Sequence, residues 1–242
     1  MAAASSASRA EPREYDDHGH QNEERVTKKS RWLLGVPAVV FLLLIVWIGA
    51  TIYSGYRRAP PLVAAHIPGG EILHPDHFPP ERLAILLRVE DPRFFEHHGV
   101  DLRTPGSGFT TITQGLVKSL YFDSFKPGPA KVTQTLYAIG LDCRIDKKTQ
   151  LALFLNTAYL GSDEGREVRG FPDASRAYFG KEPLALSDEE YLELVAIIIG
   201  PNQFHPVRAA ARNRDRVERI ERLLAGKCAP RGFRDVYYEA CR

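Results

Sequence analysis

Two short runs concentrate the side chains able to do chemistry. The first is Arg88-Val-Glu-Asp-Pro-Arg-Phe-Phe-Glu-His-His-Gly-Val-Asp101, and the second is Thr110-Thr-Ile-Thr-Gln-Gly-Leu-Val-Lys118. Leu83, Leu86, Leu87 and Glu90 fall at i, i+3, i+4 and i+7, so on a helix Glu90 continues an apolar stripe. Burial and the negative end of the helix dipole both disfavour a charged carboxylate there, moving its pKa toward general-base range. The same pattern also fits a surface glutamate closing a helix before the Asp91-Pro92 stop signal. In the second run Ile112, Leu116, Val117 and Leu120 share one helix side, with Thr111, Gln114 and Lys118 on another. That polar face is either a substrate surface or simply a solvated one.

Helices must deliver these groups. Pro79 and Pro80 suit the start of the helix ending at Glu90. Pro129 starts another that reaches about Cys143, with Val132, Leu136, Ile139 and Cys143 expected on its buried face. Lys147 to Tyr159 reads as a fourth helix. Ser187-Asp-Glu-Glu190 is a capping box before Tyr191 to Ile199, which Gly200-Pro201 ends, although Ile197 to Ile199 alone would suit a strand. Val217, Ile220, Leu223 and Leu224 form the stripe of a last helix, whose arginines are expected on a solvated face. Few segments alternate with period two, so the fold class expected is mainly α.

The 242 residues allow one domain of about 150 residues plus accessories. Trp32 to Tyr53 is uncharged and long enough to cross a bilayer of about 30 Å, with Trp32, Trp47, Tyr53 and Tyr56 toward its ends. It is too long for the apolar region of a signal peptide, so a single transmembrane anchor over residues 32–56 is expected. Arg25, Lys28, Lys29 and Arg31 before it, against Arg57 and Arg58 after it, favour N-in. Residues 1–31 are expected to form a disordered cytoplasmic tail, and residues 57–78 a linker rich in Pro, Gly and His. A net charge of +2 gives no general argument for nucleic-acid binding. Of the three cysteines, Cys228 and Cys241 share a C-terminal tail, residues 227–242, where an oxidising compartment would allow them to pair.

The motifs together resemble the family 51 glycosyltransferases, the peptidoglycan polymerases. That family's first motif, Glu-Asp-x-x-Phe-x-x-His-x-Gly, is matched by Glu90, Asp91, Phe94, His97 and Gly99. Its second is matched by Gly108, Thr111, Ile112, Thr113, Gln114, Leu116 and Lys118, while Phe109, Thr110 and Gly115 depart from it. Phe154 to Gly161, Gly170 to Lys181, Gly200 to Pro206 and Asn213 to Leu224 continue the resemblance, which covers about Pro79 to Gly226. It implies a lysozyme-like helical domain with a cleft, behind the single N-terminal anchor and periplasmic to a bacterial inner membrane. It implies lipid II and the nascent glycan strand as substrates, and cell-wall synthases as candidate partners. Glu90 would be the base that activates an acceptor hydroxyl, and Thr111, Gln114, Lys118 and Lys131 would hold sugars or diphosphate. A divalent ion such as Mg²⁺ would suit the phosphate oxygens.

Two departures bear on activity. The family pattern Arg-Lys-x-x-Glu aligns with Ala130-Lys131-Val132-Thr133-Gln134, so Gln134 stands at its second catalytic glutamate and carries no carboxylate. Only Leu102 to Ser107 separates Asp101 from Gly108, where the family usually has a longer mobile segment. Three functions follow: a glycosyltransferase, a silent relative that binds lipid II or a synthase as regulator, and a glycan-cleaving enzyme using one raised-pKa glutamate.

Overall fold

The computed structural model describes residues 18–67, 72–126 and 128–242, with side chains described from Val36 onward. Contacts divide the chain into residues 1–47 and residues 48–242. The first helix, α1 (His18–His66), contributes to both, and its Val36–His66 portion is long and apolar enough to cross a membrane. It begins inside the stretch expected to be a disordered tail, because Gln21 to Arg31 holds no Gly or Pro to stop a helix. Residues 1–17 of that expected tail lie outside the described residues.

Residues Arg57 to His66, expected as linker, are helical. Pro60 and Pro61 argue against a helix there, but packing on both sides of them overrides local preference. Ala59 and Val63 are buried, Arg58 lies over the rings of Tyr121 and Tyr137, and the Tyr121 hydroxyl donates to Gly55 O at 2.7 Å. Gly140 permits this approach, since a Cβ there would meet Ile52 O at 2.2 Å.

The helices that build the cleft follow their sequence signals. Helix α2 (Pro80–Glu90) starts on proline and ends before Asp91-Pro92. Thr111 caps α3 (Ile112–Tyr121) in a reciprocal capping box with Gln114. Helix α4 (Pro129–Asp142) follows, and Asp146 caps α5 (Lys147–Thr157). A two-stranded antiparallel hairpin not anticipated from sequence comes next, β1 (Tyr159–Asp163) and β2 (Arg166–Arg169). The fourth helix therefore stops at Thr157, where Ala158 turns to extended backbone and Gly170 donates to its carbonyl.

Helices α6 (Gly170–Phe179), α7 (Asp188–Ile197) and α8 (Ala210–Leu224) complete the domain. The Ser187 capping box forms as read, and Ile197 belongs to the helix rather than to a strand. Leu155, Leu160, Phe171, Leu194 and Ile197 form the centre of the core, contributed by α5, β1, α6 and α7. Two faces depart in part from expectation, although Val217, Ile220 and Leu223 are buried and Arg212, Arg214 and Arg222 are exposed as read. On α4, Val132 and Cys143 are exposed, while Gln134, Ala138, Gly140 and Leu141 turn inward, because small residues let neighbouring backbones come close. On α8, Arg216 and Arg219 are buried rather than solvated, since each places its guanidinium against backbone carbonyls.

Candidate functional site

Glu90 is the last residue of α2, half-buried at the helix end. Its neighbour Asp91 fixes it there. The buried Asp91 carboxylate accepts from the Ile112 backbone N–H at 3.0 Å, the first amide of α3, and pairs with His97 Nε2 at 2.9 Å. The end of α2 is thereby tied to the start of α3, and the Thr111 hydroxyl adds a bond to Gly99 O at 2.7 Å. Of the paired acids, Asp91 is consumed by structure and Glu90 is left facing a pocket.

That pocket, of about 80 Å³, is lined by Val89 and Glu90, by residues 106–110, and by Ile199, Arg216 and Val236. Desolvation pushes the Glu90 pKa up from 4.5 to about 7; the Arg216 cation opposes the rise and the Asp91 charge adds to it. Arg216 is 1 % exposed. Its Nε donates to Ala196 O and its Nη1 to Val236 O, each at 3.1 Å, and the guanidinium lies over the rings of Phe204 and Tyr238. Such a group brings positive charge to the pocket without quenching Glu90 through a short ion pair.

Lys131 reaches the pocket rim, where its Nζ donates to Thr110 Oγ1 at 2.9 Å. Burial, with a smaller contribution from the Lys118 charge, lowers the Lys131 pKa. Lys118 is exposed, with its ammonium over the Phe125 ring. The two lysines thus place cationic charge on the side of the cleft reached by Thr110.

The other expected site residues are engaged within the protein. Thr111 and Gln114 are buried and cap α3, and Gln114 Nε2 also donates to Thr135 Oγ1 at 2.9 Å. Gln134 is buried too, its Nε2 donating to Gln114 O at 2.6 Å while its Oε1 has no partner. Glu90, Thr110 and Lys131 come together; Gln134 does not line the Glu90 pocket. Among the described residues no group of three or more His, Cys, Asp or Glu side chains could hold a metal. Among the described residues lining the pocket, Glu90 is the one carboxylate, and it lies across from the Arg216 cation.

Sequence reading missed Arg216 and the C-terminal wall. Arg216 was legible in principle, since Asn213, Arg216, Val217, Ile220 and Leu223 share one helical face. Val236 and Tyr238 lie beyond the resemblance and carry no local signal.

Comparison with known proteins agrees with this architecture. A family profile described as Transglycosylase matches residues 67–225. Penicillin-binding protein 1B of Escherichia coli (strain K12) is 32% identical over 188 residues, which is 70% of this chain and 22% of that protein. Penicillin-binding protein 1B of Vibrio cholerae is 31% identical over 165 residues, 63% of this chain and 21% of that protein. Penicillin-binding protein 1F of Bacillus subtilis (strain 168) is 32% identical over 148 residues, 56% of this chain and 20% of that protein. The chain spans about a fifth of the length of these relatives.

Proposed function

The chain belongs to the transglycosylase family and carries its helical lysozyme-like domain, and from that premise we propose that it is a peptidoglycan glycosyltransferase. In this reading it is anchored in the inner membrane by α1, N-in, and polymerises lipid II into glycan strands on the periplasmic side. Glu90 takes the proton of the acceptor sugar's 4-hydroxyl as that oxygen attacks the anomeric carbon of the growing chain. The bond to the lipid diphosphate breaks, and Lys118 and Lys131 offset the charge that develops on the leaving group. Thr110 orients Lys131 toward the reacting centre.

The observation that carries this reading is the pocket itself. A half-buried glutamate with a pKa of about 7 is poised to accept a proton near neutral pH, and it shares its pocket with the buried Arg216 cation. A second reading rests on Gln134, whose amide is bound to the α3 backbone and supplies no carboxylate. Under it the chain binds lipid II or a cell-wall synthase and regulates synthesis without turnover.

One assay separates the two. Detergent-purified protein is incubated with labelled lipid II, and products are resolved by gel alongside a binding measurement. Ladders of glycan chains support the polymerase. Saturable binding without ladders, with or without a thiol reductant, supports the regulator.

A further inference from the structure

The C-terminal segment beyond the family match builds one side of the Glu90 pocket. Val236 lines the pocket with Glu90, and Tyr238 donates its hydroxyl to Val89 O, one residue before Glu90. Gly106 N donates to Gly232 O at 2.9 Å and Gly108 N to Phe233 O at 3.1 Å, so the segment pairs with the opposite wall. Phe233 packs edge-on to Phe109, with ring centroids 4.7 Å apart. The fit leaves no slack: a Cβ on Gly106 would meet Pro230 Cγ at 2.7 Å, and one on Gly108 would meet Val236 Cγ1 at 2.6 Å.

Three arginines of α8 hold the back of the segment. Arg216 donates to Val236 O, Arg219 to Tyr237 O and to Glu239, and Arg222 to Cys241 O. The Cys228–Cys241 disulfide then closes a loop around these contacts, with a sequence separation of 13. Cys241 is buried, while Cys228 is partly accessible.

We propose that residues 228–241 are a strap that closes the cleft over Glu90, locked by the Cys228–Cys241 disulfide and released by a dithiol reductant. The proposal rests on the reading of Glu90 as the reactive group. The pocket left under the strap, about 80 Å³, is small beside the several hundred Å³ that ligand pockets generally enclose. A sugar reaches Glu90 only when Val236 and the 106–110 wall part. In the release step one thiolate of the reductant attacks Cys228 Sγ, the S–S bond breaks, and Cys241 leaves as a thiolate. The second thiol of the reductant resolves the mixed disulfide, freeing Cys228. The reductant ends as a disulfide, and its two protons pass to the cysteine thiolates. The 228–241 loop then regains the chain freedom that the link removed, which favours the open strap by roughly 10²-fold.

The test is hydrogen–deuterium exchange of the full chain in detergent micelles, oxidised and after dithiothreitol, with carbodiimide coupling of Glu90 read by mass spectrometry. Reduction is expected to speed exchange at Gly106 and Gly108 by roughly 10²-fold, to raise coupling at Glu90, and to leave α3 and α5 protected. The Tyr238→Phe chain, which loses only the bond to Val89 O and keeps its ring on Arg216, is expected to show a smaller rise with the disulfide intact. Equal exchange at Gly106 and Gly108 in the oxidised and fully reduced chains would overturn the strap. So would loss of protection shared equally by α3 and α5, since the disulfide would then hold the whole fold. Neither readout needs substrate, so a chain with no lipid II turnover leaves this result intact, and an inert strap leaves the assignment of Glu90 standing.

Discussion

Replacing Glu90 by glutamine should stabilise the protein at alkaline pH while removing its activity. The native fold raises the Glu90 pKa from 4.5 to about 7, so the folded state binds the proton more tightly than the unfolded chain. A carboxyl group raised in this way contributes nothing unfavourable below about pH 4, where both states are protonated. Stability then falls as pH climbs from about 4.5 to 7, because the unfolded chain ionises freely and the folded one resists, and the whole penalty is present above about pH 8. The interval corresponds to about 3 kcal/mol, at about 1.4 kcal/mol per tenfold change in proton affinity. Glutamine keeps the volume and never ionises, so Glu90→Gln should match wild type at pH 4.5 and exceed it by about 3 kcal/mol at pH 8.5. For a domain of this size that is a Tm higher by roughly 6–12 °C. Thermal unfolding of both proteins in the same detergent, followed by far-ultraviolet circular dichroism between pH 4.5 and 8.5, measures the difference. A Tm difference that stays flat across this range would refute the argument, because Glu90 would then ionise in the fold as it does in water.

Other positions give independent expectations. Thr111→Val removes the α3 cap and the bond to Gly99 O, and chemical unfolding should show a loss of about 1–2 kcal/mol. Gln134→Glu replaces the donor that binds Gln114 O with an acceptor, so it should destabilise by about 1–3 kcal/mol at pH 8 and less at pH 4.5, where a protonated acid donates again. Equal stability of wild type and Gln134→Glu at pH 8 would show that the amide bond contributes nothing. Gly140→Ala drives a methyl group into the α1 backbone at Ile52, and proteolysis near residues 52–66 should accelerate at least tenfold. A reporter active only outside the cytoplasm should work when fused after Arg242 and fail at Met1; the reverse pattern would contradict the N-in orientation.

Much of the helical frame was legible because its signals are local. The proline before Glu90, the Ser187 capping box and the Gly200-Pro201 stop each act within a few residues, and each appears where it was read. The Cys228–Cys241 pairing was open in the sequence and is present in the fold. What failed depended on distant partners. Cys143 was assigned inward from its spacing with Val132, but the arrival of α1 at Gly140 turns that face outward. The arginines of α8 were taken as solvated, yet Arg216 and Arg219 meet carbonyls of a tail that follows them by some twenty residues. Thr111 and Gln114 show the same limit at the site: their spacing is that of a polar face, and the fold spends both on the cap. The place of Glu90 at the end of an apolar stripe was legible because that signal is local, but its role as base came from the family resemblance, and the wall that encloses it was not legible.

The central claim is that Glu90 is the base of a working transglycosylase. Its most direct test is the pH dependence of labelled lipid II polymerisation by the full chain in detergent, with reductant present, between pH 5 and 9. The rate should rise about 10²-fold from pH 5 and level off above about pH 8, with a midpoint near 7, as Glu90 loses its proton. Glu90→Gln, verified as folded, should fall by about 10²–10⁴-fold at every pH. A wild-type rate that is flat from pH 5 to 8, or a Glu90→Gln chain that polymerises as fast as wild type, would contradict the account.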